Sequence, residues 1–107
     1  MDLNVAVLCG TIAAPPEYRE FASGARSLRY LVTTRAEQPR RRIDVLPVTY
    51  WDPPPSLVDS PGVVGQTVWM AVSIERRFWD AGDGRRSRIE LVGRYVEVRD
   101  PAMAQSE

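Results

Sequence analysis

Arg76-Arg77-Phe78-Trp79-Asp80-Ala81-Gly82-Asp83-Gly84-Arg85-Arg86 is the stretch that decides how this chain folds. Val68, Met70, Val72 and Ile74 alternate before it, and Ile89, Leu91, Gly93 and Tyr95 alternate after it. Two long segments of period two, joined at Gly82-Asp83-Gly84, read as an antiparallel hairpin. The arm of that hairpin sets two rings among arginines. Rings stack on base faces and guanidiniums hold phosphates, the combination by which nucleic acid is gripped without reading its sequence. A protein partner could use the same surface, so the arm needs support from the rest of the chain.

Working outward, residues 66–78 and 86–98 form the two strands of that hairpin. Residues 3–12 read as an opening strand, apolar on both faces over Val5, Ala6, Val7, Leu8 and Cys9. Pro15-Pro16 breaks it, and Tyr18 and Phe21 fall on a short extension before a turn at Ser23-Gly24. Residues 26–35 form a second strand, with Leu28, Tyr30 and Val32 on one side and a β-branched end at Val32-Thr33-Thr34. Residues 43–51 form a third, in which Pro47 cannot donate to a ladder and so marks an edge or a bulge. The connector at residues 52–62 has room for one helical turn at most, because Pro53, Pro54, Pro55 and Pro61 bracket it. Five long strands without a long helix favour an all-β, five-stranded OB barrel with extended hairpin arms. A sandwich of the immunoglobulin kind needs about seven. One domain is expected over residues 1–100, with a frayed end at 101–107.

Composition narrows the function. The chain of 107 residues has one cysteine and no histidine, which removes zinc-finger, zinc-deaminase and Cys/His protease chemistry. No paired carboxylates fall in a recognisable motif, so an enzyme is not expected and no cofactor is implied. Cys9 lies in an apolar run and reads as a reduced, buried thiol. No stretch of 18 apolar residues is present, so no membrane span is expected. The start, Met1-Asp2-Leu3-Asn4, lacks a basic region of the secretory kind. The formal net charge is +0, but every basic residue is arginine and the distribution is uneven. Residues 26–50 hold six Arg against Glu37 and Asp44, and residues 75–99 hold seven Arg against five acids. Arginine brings planar stacking and fork-like phosphate contacts that lysine lacks.

With these segments in place the chain resembles the bacterial single-stranded DNA-binding protein family. Asn4 to Ile12 resembles its opening strand, and Pro16-Glu17-Tyr18-Arg19 matches its Pro-Glu-x-Arg. Ser23-Gly24 stands at its turn, Leu28-Arg29-Tyr30 and Val45 to Tyr50 fit the next two strands, and Ile74 to Trp79 and Arg85 to Val98 fit the projecting arm and closing strand. The resemblance runs in register from about residue 4 to residue 98. It implies an OB fold that binds single-stranded DNA without strong sequence preference, in replication, repair or recombination. It also implies a homotetramer located in the cytoplasm with the nucleoid.

Carried over position by position, Tyr50 and Trp79 keep a ring where the family stacks bases. Val45 stands where the family often has a further tryptophan, and the arm from Glu37 to Arg42 has no ring at all. Arg35, Arg40, Arg41, Arg42, Arg77, Arg85 and Arg86 are the expected phosphate contacts, with Arg76 and Arg88 bordering the same path. Trp51 covers the Pro-rich connector or substitutes for a missing ring. The plainer readings stand beside these: a core role for Tyr50 or Trp79, a solvated loop for Arg40 to Arg42, and a packing or subunit role for Trp69. By alternation Phe78 and Trp79 point oppositely, as do Arg76 and Arg77. The outer apolar face of the first strand needs cover, which a second subunit would give. The family's flexible linker and acidic tip are not seen before Glu107, so recruitment through such a tail is not expected. The alternative function is a tail-less accessory or interaction protein of the same fold with weak DNA binding.

Overall fold

The computed structural model describes residues 1–100; the end expected to fray, 101–107, lies outside the described residues. The elements are β1 (Ala6–Ile12), β2 (Glu17–Glu20), β3 (Arg26–Ala36), β4 (Arg42–Trp51), α1 (Pro55–Asp59), β5 (Thr67–Asp80) and β6 (Arg85–Arg99). The sheet runs β1-β5-β6-β4-β3-β2, and β1 also pairs with β3, which closes β1, β5, β6, β4 and β3 into a barrel. All pairings are antiparallel except β4–β6, where Val48 and Thr49 pair in parallel with Leu91 and Val92. This is the closed, mixed OB barrel that the strand pattern implied. The short extension around Tyr18 is a true strand, β2, lying outside the barrel along β3.

Closure depends on β1 passing from one neighbour to the other. Residues Ala6 to Thr11 pair with β5, and Thr11 and Ile12 pair with β3. Gly10 sits at the crossover, where a Cβ would fall on the Thr33 carbonyl oxygen and within 2.8 Å of a Val32 methyl. Only glycine lets the strands approach so closely. Asn4 extends the β1 side of the sheet by side chain instead of backbone. Its amide donates to the Ile74 carbonyl at 2.7 Å and its oxygen accepts from the Ile74 N–H at 2.9 Å.

The core is the inward set of alternating residues: Ile12, Leu28, Tyr30, Val32, Val48, Val68, Met70 and Val72. Each buried side chain of this size contributes roughly 1.5–3 kcal/mol of hydrophobic stabilisation. Tyr30 is fully buried, and its hydroxyl donates to the Pro61 carbonyl at 2.7 Å, which pins the connector over the barrel end. Burial pushes its phenol above the usual tyrosine range. The connector itself forms one helical turn, as its prolines require.

One expectation is overturned here. Cys9 is exposed, not buried. The inward residues of β1 are Ala6 and Leu8, which pack on the core, so Val5, Val7 and Cys9 take the outer side.

Candidate nucleic-acid interface

β5 and β6 continue beyond the barrel as a two-stranded arm, paired in register from Ile74↔Leu91 to Asp80↔Arg85. Ala81 donates to Gly84 across the turn at 2.8 Å, and Gly82 holds φ 78°, a left-handed geometry that favours glycine. Alternation then sorts the arm. Glu75, Arg77 and Trp79 share one face with Glu90, Arg88 and Arg86; Ile74, Arg76 and Phe78 share the other with Leu91, Ile89, Ser87 and Arg85. The first of these continues the outer face of the barrel. As alternation requires, Arg76 and Arg77 diverge: Arg76 donates to the Ser87 hydroxyl at 3.1 Å, while Arg77 lies over the Trp51 ring, 4.9 Å from its centroid.

That last contact organises the site. The rings of Trp51 and Phe21 lie 5.7 Å apart, and Arg19 lies over Phe21 at 5.1 Å. On the arm, Arg88 lies over Trp79 at 5.8 Å and is the register partner of Arg77. Rings and guanidiniums therefore form one row along the outer face, Arg19, Phe21, Trp51, Arg77, Arg88 and Trp79. Each exposed cation–π contact contributes only about 0.5–1 kcal/mol. Their effect is to hold ring planes and charges in fixed positions on an otherwise open surface.

The charges of this face are unevenly neutralised. Arg77 lies 3.7 Å from Glu90, and Arg86 pairs with Asp83 at 2.8 Å. Arg94 is the extra residue of a β-bulge opposite Ala71 and Val72. It bonds to the Ser73 hydroxyl at 3.2 Å and to Glu75 at 2.9 Å. Among the described residues, Arg19, Arg29, Arg35, Arg40, Arg41, Arg76, Arg85 and Arg88 form no ion pair with a carboxylate.

The structure distributes the expected contact residues over more than one surface. Trp51, Trp79, Arg77 and Arg86 come to the outer face. So does Arg35, which is opposite Ile43 on the arm formed by β3 and β4. Arg40 and Arg41 lie in the loop of that arm. Arg42 points to the inner side and is tied to Asp44 at 3.0 Å. Arg85 lies over Phe78 on the inner side of the other arm, 4.8 Å from the ring centroid. Tyr50 does not reach the outer face. It is half-buried against the core, its ring would lie only 3.0 Å from a Cβ at Gly93, and its hydroxyl donates to the Arg94 carbonyl at 3.2 Å. The reason is parity: Val45 and Trp51, six residues apart, share the outer face, whereas Tyr50 turns inward with Val48.

Sequence reasoning missed Arg19, Phe21 and Arg29. Arg29 was readable from alternation along residues 26–35, and Arg19 and Phe21 from the short extension, but only the pairing of Arg19 with Ser27, the partner of Trp51, shows that the extension reaches the same face.

A second outer surface lies at the base of the barrel. Val7, Ala71 and Tyr95 align across β1, β5 and β6, and Cys9, Trp69 and Glu97 align in the next row. Val5, Val7, Trp69 and Tyr95 are all exposed. The Arg94, Ser73 and Glu75 cluster separates this apolar surface from the charged arm. At its rim, Glu97 accepts from Tyr95 at 3.1 Å and from Arg99 at 2.6 Å. The bond from Arg99 holds the Glu97 carboxyl below its ordinary range, and the Glu97 partner raises the Tyr95 phenol.

Comparison with known proteins agrees with this architecture. Residues 3–99 match the model of the single-strand binding protein family. Among solved structures, the chain is similar to one described as "Plasmodium falciparum SSB complex with ssDNA", with 16% identity, a TM-score of 0.71, and coverage of 94% of this chain and 96% of that chain. No curated protein matches the chain.

Proposed function

This chain belongs to the single-strand binding protein family, and from that premise we propose that it binds single-stranded DNA along its outer face, without catalysis and largely without sequence preference. The observation that carries the proposal is the row of rings and guanidiniums from Arg19 through Trp51 and Arg77 to Trp79. Bases stack on Trp51 and Trp79, each stack contributing roughly 1–3 kcal/mol. Phosphates meet the guanidiniums of Arg29, Arg35, Arg77, Arg86 and Arg88, with Arg40 and Arg41 at the end of the second arm; Arg42 and Arg85, on the inner sides of the two arms, stay off this path. Tyr50 serves this surface from beneath, by packing on Gly93. Protection of exposed strands in replication, repair or recombination, in the cytoplasm and nucleoid, is the matching cellular role.

The apolar surface around Val7, Trp69 and Tyr95 serves assembly. A second copy seated on it would remove these side chains from water, and a homotetramer is the family's usual outcome. The test of binding is a titration of tryptophan fluorescence with single- and double-stranded oligonucleotides at two salt concentrations. Tighter binding of the single strand, weakening as salt rises, is expected; no binding at low salt would overturn the proposal. Trp79→Ala should weaken binding several-fold while the fold persists.

One observation favours the alternative, an interaction protein with weak DNA binding. The outer face of the β3–β4 arm exposes Ile43 and Val45 where rings would strengthen stacking. The same titration separates the two readings, because the alternative requires only weak binding even at low salt.

A further inference from the structure

β4 and β6 are joined by only two residue pairs, Val48↔Leu91 and Thr49↔Val92. Immediately before Val48 stands Pro47, which has no amide hydrogen to extend the ladder. From that point the two arms part. The β6-facing edge of β4 from Arg42 to Pro47, and the β4-facing edge of β6 from Arg85 to Glu90, are left without strand partners. Between them lies a cleft of about 330 Å³, at the small end of the range for small-molecule sites.

Alternation gives this cleft a mouth and a floor. Arg29, Pro47, Thr49, Arg88 and Glu90 are outer-face residues and stand at the mouth, where the Glu90 carboxylate lies 3.7 Å from Arg77. Leu46, Ile89 and Leu91 are inner-face residues and form an apolar floor. Among the described residues neither Arg29 nor Arg88 forms an ion pair, and Arg88 lies over the Trp79 ring. The mouth therefore opens on the row of rings and guanidiniums described above.

We propose that this cleft receives one unstacked nucleobase from the strand bound on the outer face. The base would enter between the two arms while its flanking phosphates rest on Arg29 and Arg88. The aliphatic floor accepts the flat faces of the ring. The unpaired peptide edges of β4 and β6 offer donors and acceptors to its rim, so every base can be held. A protein or lipid occupant is disfavoured by the charge at the entrance: Arg29 and Arg88 outnumber Glu90, whose nearest cation is Arg77 at 3.7 Å, and that balance matches a polyanion. The inference rests on the proposed binding of single-stranded DNA and adds a position where the strand is gripped by insertion instead of stacking.

The test is zero-length photocrosslinking of the full chain to an oligothymidylate carrying single 4-thiothymidine residues, with the crosslinked peptides mapped by mass spectrometry. At one oligonucleotide position crosslinks are expected on the segment containing Leu46 and Pro47 and on that containing Ile89 and Leu91. Crosslinks confined to Trp51, Trp79 and their neighbours would overturn the insertion site while leaving strand binding intact. Absence of any binding would instead overturn the proposed function. As a second arm, Ile89→Trp fills the cleft and should weaken binding roughly tenfold, the equivalent of one base contact. Ile74→Trp, on the same arm face outside the cleft, should have little effect. Equal effects of the two variants, or an altered oligomer mass for Ile89→Trp by light scattering, would also count against the site.

Discussion

Trp51 and Tyr50 are adjacent rings on opposite faces of β4, and replacing them one at a time separates binding from folding. Trp51→Ala removes a ring from the outer row. If one base stacks there, roughly 1–3 kcal/mol of binding energy is lost, a weakening of about 5- to 150-fold. The folding cost is modest. The ring pair with Phe21 at 5.7 Å contributes about 0.5–1.5 kcal/mol and the Arg77 contact about 0.5–1 kcal/mol. Against a typical stability of roughly 5–15 kcal/mol, the variant should remain folded at 25 °C.

Tyr50→Leu should do the reverse. It removes the hydroxyl that donates to the Arg94 carbonyl and the ring that lies on Gly93. A stability loss of about 1–3 kcal/mol is expected, with affinity little changed. Fluorescence anisotropy of a labelled thymine oligomer at fixed salt reads the affinities, and thermal melts by circular dichroism read the stabilities. If Tyr50→Leu weakens binding as much as Trp51→Ala while its melting temperature is unaltered, the assignment of these rings to opposite faces is refuted.

Other substitutions test other parts of the structure. Arg29→Ala and Arg88→Ala should each flatten the dependence of log affinity on log salt by about 0.7; an unchanged slope would remove that residue from the phosphate path. Trp69→Arg places a charge in the apolar surface shared with Val7 and Tyr95, so the assembly should dissociate to a smaller mass by light scattering, and a constant mass would show that the surface is not the contact. Gly10→Ala sets a methyl on the Thr33 carbonyl and should lower stability by about 1–3 kcal/mol in urea unfolding; a wild-type midpoint would contradict the close approach. Tyr30 provides a pH signature. Its phenol stays protonated in the fold while the unfolded chain ionises near pH 10. Its contribution should therefore be complete below pH 10 and be lost as pH rises above it, by up to about 1.4 kcal/mol per pH unit, and Tyr30→Phe should flatten that decline.

The barrel was legible because its strands are long and strictly alternating. Leu28, Tyr30 and Val32, like Val68, Met70 and Val72, mark the inward face wherever the chain is met, and Gly82 and Gly84 mark the turn of the arm. What alternation along one strand cannot give is the identity of the neighbouring strand. Phe21 and Arg19 join the candidate site only because β2 pairs with β3, and Arg77 reaches Trp51 only because β6 is the one strand between β5 and β4 on the outer face. Cys9 misled for the same reason. A strand apolar on both faces does not say which face turns inward, and here Ala6 and Leu8 take that place. The family pattern points to Tyr50 and leaves Trp51 beside it as a substitute ring, while parity puts Trp51 with Val45 on the outer face and Tyr50 on the inner one. The alternation was readable before the fold, but it became decisive only once the register with β3 was known.

Zero net charge is compatible with a polyanion partner because of where the ion pairs fall. Acids and arginines are equal in number, yet they are not matched one to one. Glu97 pairs with Arg99 beside the apolar surface, and Asp52 lies near Arg26 at the far end of β3. Asp83 and Glu90 each hold one arginine of the arm in place, which fixes Arg86 and Arg77 without covering Arg88 between them. Glu17 faces Arg29 only as a register partner, without an ion pair. Screening is strong for surface charges more than about 8–10 Å apart, so a strand on the outer face would sense Arg29, Arg35 and Arg88 more than an acid of the connector such as Asp59. Local arrangement, not the sum of charges, sets the affinity of such a surface. A variant that neutralises a distant acid, such as Asp59→Asn, would therefore raise net charge without tightening binding, whereas Arg88→Gln would weaken it at a smaller cost in net charge than its effect suggests.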